Sequence, residues 1–121
     1  MPKRILVVDD KPSSRELVRT ALIHEEYEVI EASDGREALE RMRAAAPDLV
    51  LLDVHMPGLD GYAVVAAARS DPALAAVPMI ALTASAMAGD RERALAAGFN
   101  SYLAKPVSMS ALRTEVARLV K

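Results

Sequence analysis

Five short apolar runs, each followed by a longer segment of helical pattern, constrain this chain more than any other feature. Ile5-Leu6-Val7-Val8 and Leu49-Val50-Leu51-Leu52 are apolar at every position, so as strands they must be covered on both faces, as parallel sheets are. The pattern predicts strands near 4–9, 27–31, 48–53, 78–82 and 100–103, and helices near 13–25, 35–45, 61–69, 85–97 and 109–120. Such alternation specifies an α/β fold, a parallel sheet with helices on both sides.

Local signals agree with that count. Asp34 and Glu37 have capping-box spacing, Ser108 is placed to cap the last helix, and Gly98 is placed to end the fourth in a left-handed turn. Leu112, Val116, Leu119 and Val120 form one apolar stripe. The segment Ser85-Ala86-Met87-Ala88-Gly89-Asp90 puts a glycine inside the fourth helix, at a cost of about 1 kcal/mol relative to alanine, which predicts a loosely held first turn, although a glycine needed for close packing explains the residue equally well. Tyr27 and Tyr62 are expected to pack near helix ends, and His24 to be a solvated surface residue.

With 121 residues, 52% of them hydrophobic, the chain suits one domain, 1–121, with one core. A net charge of -2 and no dense Lys/Arg run argue against nucleic acid as a partner. The absence of cysteine excludes disulfides and thiolate metal sites, and two histidines make a zinc site a poor fit. Met1-Pro2-Lys3-Arg4 runs straight into a strand rather than a signal-peptide core, and no apolar stretch reaches the ~20 residues that span a bilayer. A cytoplasmic protein with no membrane insertion is the expectation.

Acidic residues close the first and third apolar runs: Asp9 and Asp10 follow Val8, and Asp53 follows Leu52. Side by side at one sheet edge, each pair of carboxylates at ~4 Å would repel by roughly 4 kcal/mol at an effective dielectric near 20. The fold does not need that arrangement, so the triad reads as a site for a hard cation and phosphate chemistry. Thr83 and Lys105 also follow strands, and open parallel sheets bind ligands beyond the carboxyl ends of their strands. Five polar groups from four strand ends would converge on one cleft.

At Val7-Val8-Asp9-Asp10, Leu52-Asp53-Val54-His55-Met56-Pro57-Gly58-Leu59-Asp60-Gly61, Thr83-Ala84 and Lys105-Pro106, the sequence resembles the receiver domains of bacterial two-component response regulators, of which the chemotaxis regulator CheY is an example. Each motif alone is weak; their joint order and spacing are not. The resemblance covers essentially the whole chain and implies a three-layer, doubly wound (βα)5 flavodoxin-like fold with strand order 2-1-3-4-5.

It further implies that Asp53 accepts a phosphoryl group from a phosphohistidine or a small acyl or amidophosphate donor. Mg2+ would be held by Asp53 and Asp10, by Asp9 directly or through water, and by the backbone carbonyl of His55. Lys105 and Thr83 would each contact a phosphoryl oxygen, and Thr83 and Tyr102 would form a switch that turns the added charge into a change of surface. Tyr102 is also readable as an amphipathic edge-strand residue. The Lys105-Pro106 bond is expected to be cis by the same resemblance. For His55, either only the carbonyl matters, or the imidazole sets how easily water reaches the phosphoryl group; phosphoryl lifetimes in His55→Asn and His55→Ala proteins would decide.

Partners implied are a sensor histidine kinase or histidine phosphotransfer protein and a downstream protein target, engaged through the fourth and fifth helices and the strand between. The segment from Thr83 to Glu92 looks like DivK-type regulators and hybrid-kinase receivers, favouring a free-standing regulator, with a receiver cut from a longer protein as the alternative. Beyond self-phosphorylation and slow self-dephosphorylation, no enzyme activity is expected. A Mg2+-dependent phosphatase of the haloacid-dehalogenase type is a competing class, but Asp53-Val54-His55 lacks its second carboxylate. A nucleotide or flavin carrier lacks its glycine-rich loops.

Overall fold

The computed structural model describes residues 2–84 and 89–120. In chain order the elements are β1 (Arg4–Val8), α1 (Pro12–His24), β2 (Glu28–Ala32), α2 (Gly35–Ala45), β3 (Leu49–Asp53), α3 (Gly61–Ser70), β4 (Met79–Thr83), α4 (Asp90–Ala97), β5 (Ser101–Ala104) and α5 (Met109–Val120). All neighbouring strands pair in parallel, in the order β2-β1-β3-β4-β5. This is the flavodoxin-like order that the resemblance implied.

Strand parity divides the core in two. Leu6, Val8, Val50, Leu52, Met79 and Ala81 face Ala38 and Met42 of α2, Val64, Val65 and Ala68 of α3, and Ala94 of α4. Ile5, Val7, Leu49, Leu51, Ile80 and Leu82 face Val18 and Leu22 of α1 and Leu112 and Val116 of α5. Leu49, Val50, Leu51 and Leu52 are wholly buried, and each leucine side chain so removed from water contributes roughly 1.5–3 kcal/mol. The central strand therefore carries Asp53 on one of the most firmly held segments of the molecule.

Helix ends follow the expected chemistry, with one shift. Asp34 Oδ1 accepts from the Glu37 N–H at 2.8 Å, but Glu37 Oε1 accepts from the N–H of Ser33 at 2.7 Å rather than from the cap residue. The Ser33 hydroxyl donates to the same carboxylate oxygen at 3.0 Å. Ser108 Oγ accepts from the Ala111 N–H at 3.3 Å, and Gly98 ends α4 at φ 119°. Tyr62 packs edge-on against Phe99, and Tyr27 packs on the second cluster.

Helix α4 differs from its expected span of 85–97. Residues 85–88, and with them most of the predicted first turn, lie outside the described residues. Gly89 is the N-cap of α4 at φ 90°, not an interior residue. That left-handed conformation suits glycine, so its presence here reflects the turn into the helix.

Candidate functional site

The strand order determines where ligands can reach the sheet. β1 lies between β2 and β3, so the connections leaving β1 and β3 diverge to opposite sides of the sheet and open a crevice at their carboxyl ends. In the register, Val8 pairs with Leu52, which brings Asp9 and Asp10, just past β1, beside Asp53, the last residue of β3. One carboxylate oxygen from each of the three lies within 4.8 Å of the others.

Asp9 and Asp53 are 1% and 3% exposed, and each oxygen of both has a donor. Asp9 Oδ1 accepts from the Lys11 N–H at 2.9 Å and Asp53 Oδ1 from the His55 N–H at 3.0 Å. Lys105 Nζ lies 2.8 Å from Asp9 Oδ2 and 3.3 Å from Asp53 Oδ2. Burial raises the Asp53 pKa, and the Asp9 charge adds to this, against the opposing pull of the His55 N–H and Lys105. For Lys105, burial acts to lower the pKa, but the two carboxylates outweigh it and the net shift is upward. The ammonium thus remains charged and holds two carboxylates that would otherwise repel.

Asp10 is different. Its Oδ1 is buried with no hydrogen-bond partner, the one such side-chain atom among the described residues. A buried carboxylate oxygen without a donor costs stability, so an orphan within a triad of oxygens fits a hard, oxygen-seeking cation. The residues present therefore suit Mg2+.

Thr83 closes β4 at 2% exposure, and its carbonyl accepts from the Lys105 N–H at 2.7 Å. This couples the end of β4 to the start of the β5–α5 loop, where the Lys105-Pro106 bond is cis. Tyr102 is half-buried on β5, packed against the first core cluster; burial, then the charge of Asp90, raises its pKa. His55 has an exposed side chain, as has His24.

Helix α3 begins hard against the third strand's exit. Its Asp60 cap accepts from the Ala63 N–H at 2.9 Å, and the Gly61 N–H donates to the Val54 carbonyl at 3.2 Å. A Cβ on Gly61 would lie 2.6 Å from Val54 Cα and 2.9 Å from the Asp53 carbonyl oxygen, so this glycine is required for close approach.

One contact was not foreseen from sequence. Arg15 Nη1 donates to the Asp9 carbonyl oxygen at 2.8 Å, with its Nε on Glu31 Oε1 at 3.1 Å. The available signal was a cation in the first turn of a helix, where the dipole disfavours one.

Comparison with known proteins assigns the class. Residues 5–117 match the response regulator receiver domain family, and the chain belongs to it: it is the receiver domain of a two-component response regulator. The polar-differentiation response regulator DivK of Brucella anthropi is 38% identical over 109 residues, 90% of this chain and 89% of that protein. The response regulator PleD of Caulobacter vibrioides is 39% identical over all 121 residues, which span 27% of its length. The receiver domain of a sensor histidine kinase from Pseudomonas aeruginosa, solved with a magnesium ion coordinated in its active-site cleft, superposes with a TM-score of 0.91 at 36% identity, covering 99% of this chain and 98% of that one. Members of this family are phosphoacceptor switches that interact with kinases or phosphotransfer proteins and with downstream targets. No helix among the described residues is long and apolar enough to cross a membrane.

Proposed function

We propose that this protein is a phosphorelay switch in which Asp53 accepts a phosphoryl group with Mg2+ bound, and that 1–121 acts as a free-standing receiver. The observation that carries the reading is the triad itself: three carboxylates meeting at one crevice, with Lys105 bridging two and a buried oxygen of Asp10 unpartnered. Mg2+, when bound, offsets charge on the transferring group and orients it. Asp10 and Asp53 would be its direct carboxylate ligands, Asp9 would bind directly or through water, and the His55 carbonyl would complete the protein's share.

A carboxylate oxygen of Asp53 attacks phosphorus in line; the bond from phosphorus to the donor nitrogen or oxygen breaks and the leaving group keeps the electron pair, a nitrogen leaving group taking a proton from solvent and a carboxylate departing as the anion. Lys105 moves its ammonium onto one phosphoryl oxygen and the Thr83 hydroxyl hydrogen-bonds another. As Thr83 is drawn inward, Tyr102 follows into the space behind it. The surface that changes is the α4–β5–α5 face, where Tyr102 lines a groove with Arg91, Leu103, Thr114, Glu115 and Arg118. A histidine kinase or phosphotransfer protein supplies the phosphoryl group, and a downstream protein reads this face. Both forms have relatives among the matches: DivK is covered over 89% of its length and PleD over 27% of its length.

Turnover separates the switch from a phosphatase. Incubated with Mg2+ and a large excess of phosphomonoester, the protein should release no phosphate catalytically, whereas a small acyl phosphate should label it to near one equivalent. Sustained multiple turnover of the monoester would replace the switch reading with that of an enzyme.

A further inference from the structure

Arg15 reaches back over the start of α1 to the chain that leaves β1. Its Nη1 donates to the Asp9 carbonyl oxygen at 2.8 Å, and its Nε is held by Glu31 Oε1 of β2 at 3.1 Å. Helix stability gives no reason for this. The first turn of α1 has no acidic residue and its N-cap, Lys11, makes no side-chain cap bond, so two cations stand at the positive end of the helix dipole, where cations are disfavoured. Nor is the guanidinium a solvated surface group: its side chain is 19% exposed, and Glu31 is further fixed by Arg19 at 3.4 Å.

We infer that Arg15 is a positioning residue that sets the angle at which the acid pair faces the cation; this rests on the Mg2+ reading above. The Asp9 carbonyl lies in the rigid peptide plane that ends at the Asp10 Cα. The Asp9 N–H is tied to the Ala32 carbonyl of β2 at 3.2 Å, so the Asp9 residue is held from β2 at its nitrogen and from α1 at its oxygen. Turning that plane would swing the Asp10 carboxylate, whose Oδ1 is the buried, unpartnered atom. Mg2+ demands near-ideal octahedral geometry, so a small error of aim weakens it.

Positioning and plain electrostatics make opposite demands. Removing a positive charge near the site would by Coulomb attraction tighten binding of a cation, whereas loss of aim weakens it. Mg2+ titration of the full chain by calorimetry, with wild type, Arg15→Ala, Arg15→Lys and Glu31→Gln, tests this; the sign in Arg15→Ala separates the two demands, whereas in Glu31→Gln, which removes a negative charge, both predict weaker binding and only an unchanged affinity is decisive. Loss of an outer partner of a ligand typically costs 10–100-fold in metal affinity, so the dissociation constant should rise about tenfold in Arg15→Ala and by less in Glu31→Gln. Arg15→Lys, which keeps a donor for the Asp9 carbonyl, should restore most of the affinity. In metal-free protein the Lys11 amide resonance, whose N–H donates to Asp9 Oδ1 at 2.9 Å, should move in Arg15→Ala.

Binding as tight as wild type or tighter in Arg15→Ala overturns the inference, and unchanged affinity in Glu31→Gln does so if Arg15→Ala does not fold. Wild-type protein that binds no Mg2+ would overturn both this inference and the Mg2+ reading beneath it, while wild-type binding with unaltered variants overturns the inference alone.

Discussion

Lys105 Nζ sits 2.8 Å from Asp9 Oδ2 and reaches Asp53 Oδ2 at 3.3 Å, so one ammonium bridges two carboxylates that would otherwise repel. Replacing it exposes the repulsion it suppresses. Lys105→Met should cost roughly 1–3 kcal/mol in metal-free unfolding by urea, less than the 3–5 of a fully buried broken pair because Lys105 is partly exposed. The same variant should bind Mg2+ more tightly, since a competing cation is gone; calorimetric titration checks this.

Asp53 has the opposite effect on stability. Its pKa is raised above the ordinary 3.8, chiefly by burial, so keeping it ionised in the fold disfavours folding at neutral pH. Asp53→Asn should therefore raise the metal-free melting temperature at pH 7, by about 4 °C for each kcal/mol gained. The sign follows from linkage: as pH falls through the raised pKa toward 3.8, folded wild type takes up its proton before the unfolded chain does, and the advantage of the asparagine shrinks. Thermal melts across that range in the presence of a chelator are the check.

Metal binding should reverse that ranking. At ten times its dissociation constant Mg2+ should stabilise wild type by about 1.4 kcal/mol. Asp10→Asn should lose most of this, because its Oδ1 is the oxygen left without a donor. Melts with and without Mg2+ measure both.

Much of this was legible in the sequence because it depends on period and on local chemistry. Leu49 to Leu52, apolar at every position, reads as a doubly covered strand, and Asp34, Ser108 and Gly98 act within a few residues of themselves. The acid triad was visible because each aspartate ends an apolar run, and the family motifs ordered them. Gly89 was misread because an αL residue at a helix entrance and a glycine inside a helix look alike in sequence. Arg15 was missed for a different reason: its partners, the Asp9 carbonyl and Glu31 on β2, are joined to it by the tertiary fold, and a backbone carbonyl leaves no mark on a sequence.

Gly61 links the fold to the site by close approach. Its absent Cβ leaves room for Val54 Cα and the Asp53 carbonyl, both backbone and neither free to yield. Gly61→Ala should destabilise the protein by about 1–3 kcal/mol, as overpacking does, and slow labelling of Asp53 beyond what the stability loss explains. Urea unfolding alongside phosphorylation rates at a temperature where the variant is fully folded separates the two effects.

The most direct test is mass measurement of the intact protein after incubation with Mg2+ and a small acyl phosphate. One added phosphoryl group should appear on wild type and be absent from Asp53→Asn. An unlabelled wild type, or a label that survives in Asp53→Asn, would contradict the account.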